Sequence, residues 1–98
     1  MEQAEQLAEV LLLASRQVSA ALASFRTGGD YSSHLVEIHR LENEGDRLVR
    51  EAVASLFAGG IDPMVVIRWK DIFTVLERAI DATESAAHIL EGIVIKNA

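Results

Sequence analysis

Gly59-Gly60-Ile61-Asp62-Pro63 is the stretch on which the fold turns. Glycine takes up the left-handed backbone that ends a helix at no steric cost. Asp62 is a strong N-cap, and Pro63 suits the first helical position, where a missing N–H costs nothing. These five residues therefore close one helix and open another. Thr27-Gly28-Gly29-Asp30 is a second break of the same kind. Outward from the two breaks lie three long segments of good helix formers with helical spacing of apolar residues.

Helix 1 is expected over about residues 2–26, helix 2 over about 31–58 and helix 3 over about 63–96. The inward stripe of helix 1 is Leu7, Leu11, Ala14, Val18, Ala21 and Phe25, whose steps alternate four and three as in a bundle seam. Leu35, Ile38, Leu41, Leu48, Val49, Ala52 and Leu56 face inward on helix 2. Trp69, Phe73, Leu76, Ile80, Ala87 and Val94 do so on helix 3. No strand-like alternation occurs. Short breaks between long helices make antiparallel neighbours, so the expected fold is all-α, an antiparallel up-down-up three-helix bundle in one domain, residues 1–98. Val10, Leu12, Leu13, Val66, Ile67, Ile72, Ile93 and Ile95 widen the stripes beyond a narrow seam. That surplus predicts self-association or docking on a partner.

The chain of 98 residues is 50% hydrophobic and 24% charged, with a formal net charge of −6. This balance fits a globular domain and disfavours nucleic acid or an anionic membrane surface as the main partner. The absence of cysteine excludes disulfides and thiolate zinc sites. The N-terminus lacks the basic stretch of a secretory signal. No apolar run reaches the ~18 residues of a membrane span, so a cytoplasmic protein without direct membrane insertion is expected.

Function is written in a repeated pattern, Leu-Glu-x-x-x-Asp. One copy is Leu41-Glu42-Asn43-Glu44-Gly45-Asp46 and the other is Leu76-Glu77-Arg78-Ala79-Ile80-Asp81. A Glu and an Asp four apart share one helix face, where like charges repel, so helix stability does not explain the spacing. Antiparallel positions pair at equal distances from the turn. With the turn centred between Ile61 and Asp62, Asp46 faces Glu77, Glu42 faces Asp81, and His39 faces Glu84 one turn further on. Rotation agrees with height. Glu42 and Asp46 lie about 40° and 80° from inward Ile38, and Glu77 and Asp81 lie about 40° and 80° from inward Phe73. Same-sign offsets on antiparallel helices fall on one flank of the groove. Four carboxylates there need protons, basic partners or a cation. Such oxygen-rich sites suit hard and borderline metals. Glu42, Asp46, Glu77 and Asp81 are the expected metal ligands, with Glu84, His39 and His88 as further ligands or orienting partners. The bland alternative is a solvated acidic face or a set of interhelical salt bridges.

These motifs resemble the PhoU-like family of phosphate-transport regulators, from about His34 to Ala98. His39-Arg40-Leu41-Glu42-Asn43-Glu44-Gly45-Asp46, Ser55-Leu56-Phe57 and Ile67-Arg68-Trp69-Lys70-Asp71-Ile72-Phe73 are similar to that family's second half, as is the end, Ile93-Val94-Ile95-Lys96-Asn97-Ala98. The family's Glu/Asp-x-x-x-Asp signature falls on Glu42, Asp46, Glu77 and Asp81. The resemblance implies a divalent or trivalent transition metal bound on the bundle surface, a multinuclear iron cluster among the forms, with zinc or manganese as other occupants. It further implies regulation of phosphate uptake through a phosphate transporter or its signalling partner, at the cytoplasmic face of the membrane. The family has two three-helix bundles in a chain about twice this long. This chain is then a half-length member or a fragment, and a homodimer would restore the full architecture. Two other readings stand beside this one. A structural or adaptor bundle would use its acidic stripe without a specific metal. A di-iron carboxylate enzyme would need Glu-x-x-His on facing helices, whereas the chain has Glu84-x-x-x-His88 and His39-x-x-Glu42. No nucleophile–base pair or phosphate-cradling loop supports hydrolysis, and a non-enzymatic role is expected.

Overall fold

The computed structural model describes residues 2–96, and Met1, Asn97 and Ala98 lie outside the described residues. Three helices pack as a bundle: α1 (Glu2–Thr27), α2 (Ser32–Leu56) and α3 (Pro63–Lys96). Each packs on the other two. The bundle is slender, 55 × 20 × 15 Å, because a helix of 34 residues rises ~51 Å.

The two breaks behave as their chemistry requires. Gly28 has φ +74°, and the N–H of Gly29 donates to the Ser24 carbonyl at 2.9 Å, the Schellman closure of a helix end. Tyr31 stacks on Phe25 at 5.0 Å and stands as the N-cap of α2, its carbonyl accepting from the Leu35 N–H at 3.2 Å, so the helix opens where the sequence places it. At the other break, Gly59 and Gly60 have φ +109° and +78°. The Asp62 carboxylate accepts from the Met64 N–H at 2.8 Å, capping α3. α2 ends at Leu56, two residues before the expected Ala58.

The core is one seam per helix. Leu7, Ala14, Ile38, Phe73, Ile80 and Ala87 are almost fully enclosed. Leu11, Val18, Val49, Trp69 and Leu76, expected inside, are half-buried at its margin. Three core positions depart from expectation. Val10 belongs to the core and not to the outer flank, and Gly45 and Thr83 are also buried. Thr83 satisfies its hydroxyl by donating to the Ile80 carbonyl at 2.6 Å. Gly45 lets two helices approach. A Cβ there would lie 3.2 and 3.3 Å from Ile80 carbons and 3.8 Å from Val10. α2 and α3 thus pack tightly between Glu42 and Asp46.

Leu12, Leu13, Ile67, Ile72 and Ile95 are exposed, as the surplus of apolar residues predicted. By length and composition alone, α1 is long and apolar enough to cross a membrane, although charged residues such as Glu9 and Arg16 interrupt its apolar run. In this fold its Leu7, Ala14 and Ala21 are buried against the other helices.

Candidate metal centre

The seam that buries Phe73, Ile80 and Ala87 leaves a second stripe on α3, turned toward α2. Glu77, Asp81, Glu84, His88 and Glu91 recur along it in steps of four and three. His39, Glu42 and Asp46 line the facing edge of α2. Packing at Gly45 holds the two edges together.

Ligand oxygens of Glu42, Asp46 and Asp81 converge to within 4.8 Å of one another. Glu42 and Asp46 are half-buried, and Asp81 is exposed at the mouth. The expected facing of Glu42 and Asp81 is present. Glu77 is half-buried on the same stripe but does not join the convergent three. Turn-based pairing fixes height to within a rung, and Asp81 takes the place beside Asp46 that Glu77 was expected to fill.

Charge neutralisation bypasses this set. Arg40 pairs with Glu37, and Arg47 reaches Glu51 at 2.6 Å and Glu44 through Nε at 3.1 Å. Among the described residues, no Lys or Arg forms an ion pair with Glu42, Asp46 or Asp81. The electrostatics register the shortfall. Burial, then the hydrogen bond and charge of Asp46, then those of Glu84, push the Glu42 carboxyl up to about 7. Burial, with the charges of Asp46 and Glu84, also raises Asp81, against a hydrogen bond from Glu42. Near neutral pH a proton on Glu42 does what a cation would do.

Further along the groove, His39 Nδ1 lies 3.4 Å from Glu84 Oε2, the facing predicted from the turn. His88 Nε2 lies 3.5 Å from Glu84 Oε1. Burial pushes Glu84 up, but hydrogen bonds from His39 and Glu42 and the two imidazoles together hold it below its ordinary value. His39 is raised, first by its hydrogen bond to Glu91 and then by Glu84, against burial. Sequence reasoning missed Glu91, whose Oε1 is 3.1 Å from His39 Nε2. The signal was available: Glu91 lies three residues past His88 and two turns past Glu84, on the same face. His34, given no functional role, bonds Gln17 at 2.7 Å and ties α2 to α1.

The fold and groove define a class: a three-helix bundle with a carboxylate-and-histidine stripe between two antiparallel helices. The chain is similar to UPF0111 protein YkaA of Bacillus subtilis (strain 168), at 36% identity over 69 residues. The match covers 70% of this chain and 34% of that protein, so the shared stretch spans about a third of the relative. No family model matches the chain. No solved structure matches it either.

Proposed function

We propose that this chain is a non-enzymatic, metal-binding helical bundle of the PhoU-like kind, regulating phosphate transport by protein contact. The convergence of Glu42, Asp46 and Asp81 without a basic counter-charge carries this reading. An all-oxygen set of this kind takes a hard or borderline ion, with iron first and manganese or zinc as other occupants. Residues from both helices hold it, so bound metal clamps α2 against α3. It also turns an anionic groove toward positive charge, which would attract phosphate or acidic groups of a partner. The partner is a phosphate transporter or its signalling protein, met from the cytoplasmic side. A second copy of the chain covers the exposed apolar flanks.

Elemental analysis of untagged protein, taken from a size-exclusion peak of known mass, is the first test. Stoichiometric iron or manganese in the wild type, lost in the Glu42→Ala/Asp81→Ala double variant at unchanged helicity, supports the site. Unchanged iron or manganese content in that variant removes it. If calcium, magnesium or salt serves as well as iron, the groove is a plain acidic adaptor face. Phosphate affinity no greater in metal-loaded than in metal-free protein abandons the anion-binding step.

A further inference from the structure

We propose that His39, His88 and Glu91 form a second cation site, separate from the carboxylate set, which takes one borderline divalent ion of the zinc class. The inference goes beyond the regulatory reading and does not depend on it. The three side chains present ligand atoms within 4.8 Å of one another. They come from both walls of the groove: His39 from α2, and His88 and Glu91 from one face of α3. His39 Nε2 and Glu91 Oε1 are 3.1 Å apart. Two ligands of a tetrahedral zinc ion with bonds of about 2.0–2.1 Å lie about 3.3 Å apart, so this edge already has the required length.

The histidine rings support the assignment. Their centroids are 5.1 Å apart and tilted by 53°, an open arrangement with room to close on an ion. Glu84 Oε2 sits beside His39 Nδ1 at 3.4 Å. With an ion bound, a carboxylate in that position would hold the proton on Nδ1, while Nε2, which hydrogen-bonds Glu91 in the ion-free groove, would give up its proton to take the metal. Three protein ligands leave a fourth position open to water or a partner's side chain. His88 is exposed, so an ion reaches the site from solvent without unfolding.

Chemistry separates the two sites. Two imidazoles select zinc, nickel or cobalt over calcium and magnesium, whereas three carboxylates do not. Glu84 touches His39 and also hydrogen-bonds Glu42, so one side chain lies between the two sites.

The test is calorimetric titration of zinc into chelator-treated full chain, with visible absorption of cobalt(II) as a ligand-field readout. The wild type should bind zinc and give cobalt bands of a nitrogen-containing site. His88→Ala and Glu91→Gln should each weaken zinc at least ~10-fold and alter the cobalt bands, the range seen when metal-site groups are removed. Glu42→Ala/Asp81→Ala should retain both signals, so failure of the carboxylate site does not imitate failure of this one. Circular dichroism checks that His88→Ala keeps its helicity. The proposal is overturned if the wild type binds no zinc, in which case His39 is only an ion-pair bridge between Glu84 and Glu91. It is equally overturned if His88→Ala binds zinc as the wild type does, or if zinc is lost only in the carboxylate variant.

Discussion

Glu42 bears most of the electrostatic strain of the groove, and its titration gives the first prediction. Its carboxyl rises from 4.5 to about 7 in the fold, and Asp81 shifts in the same direction. A raised acid stabilises the folded state while protonated there, and that contribution is lost as pH climbs through the folded value. His39, also raised, has the same sign: its contribution is present below 6.5 and lost above. Glu84, Glu37 and Glu44 are lowered and act the other way, losing their contribution only as pH falls below the ordinary glutamate range. Metal-stripped protein should therefore be most stable near about pH 5 and lose stability by about pH 8, on the order of 1 kcal/mol once solvent screening of these part-exposed groups is allowed for. Thermal melts across that range check it, and a flat profile removes the raised carboxyl of Glu42. Saturating manganese should shift the optimum upward, because the ion replaces the proton. Glu42→Gln should flatten the metal-free profile while weakening manganese by tenfold or more, measured by titration. Much of this site was legible before the fold was known. The turn chemistry set the heights, and 3.6-residue rotation set the flank, so Glu42 met Asp81 and His39 met Glu84. Which carboxylate stands beside Asp46, and the reach of His39 to Glu91, depend on side-chain conformations that no spacing rule specifies.

At the scale of the helices, α2 and α3 are positioned by one glycine and one cap. Gly45 in a helix interior reads as a weak point, worth ~1 kcal/mol against alanine. Its value appears only once Ile80 is known to lie against it. Gly45→Ala should leave stability near the wild type, since gained helix propensity offsets the few tenths of an ångström that Ile80 must yield. The same displacement widens the groove, so manganese affinity should fall while the denaturant midpoint barely moves. Gly45→Leu should cost ~1–3 kcal/mol as overpacking, read as a lower midpoint. If Gly45→Leu is as stable as the wild type, the close approach is not real. Asp62→Ala removes the cap of α3 and should cost ~1 kcal/mol in the same assay. Element boundaries were legible where glycine, aspartate and proline act locally, and α3 begins at the expected Pro63. They were less so where no such residue stands: α2 stops at Leu56, short of the expected Ala58. Val10 enters the core because it lies three residues from Leu7 and four from Ala14, on the same face as Leu11 but on its other side, where it packs toward Gly45.

The whole molecule carries three lengthwise stripes on α3, two of which are occupied within one copy. The seam of Phe73, Ile80, Thr83 and Ala87 meets α1 and α2, and the stripe of Glu77 to Glu91 faces the groove. A third stripe, Ile72, Val75, Ala79, Ala82, Ala86 and Ile89, runs in steps of three and four on the outer side of α3, with Ala79 and Ala86 half-buried and the others exposed. Ile72, Val75 and Ile89 are 44%, 64% and 64% exposed. Small residues at its centre and branched ones at its ends form the pattern of a close helix–helix contact, and an antiparallel copy of α3 would be complementary to it. The stripe also lies clear of the groove, so self-association would leave the carboxylates open to solvent. Sedimentation velocity should show a dimer at micromolar concentration, and Ala82→Glu should convert it to a monomer with undiminished helicity and metal content. The charge enters the middle of the contact, where its desolvation is not compensated, and a loss of affinity of tenfold or more is expected. A wild type monomeric at every concentration would assign the stripe to a different partner. A dimer untouched by Ala82→Glu would move the interface to the α1 flank of Leu12 and Leu13. In either case metal content measured on the same fractions separates assembly from ion binding, since the groove and the stripe share no residue.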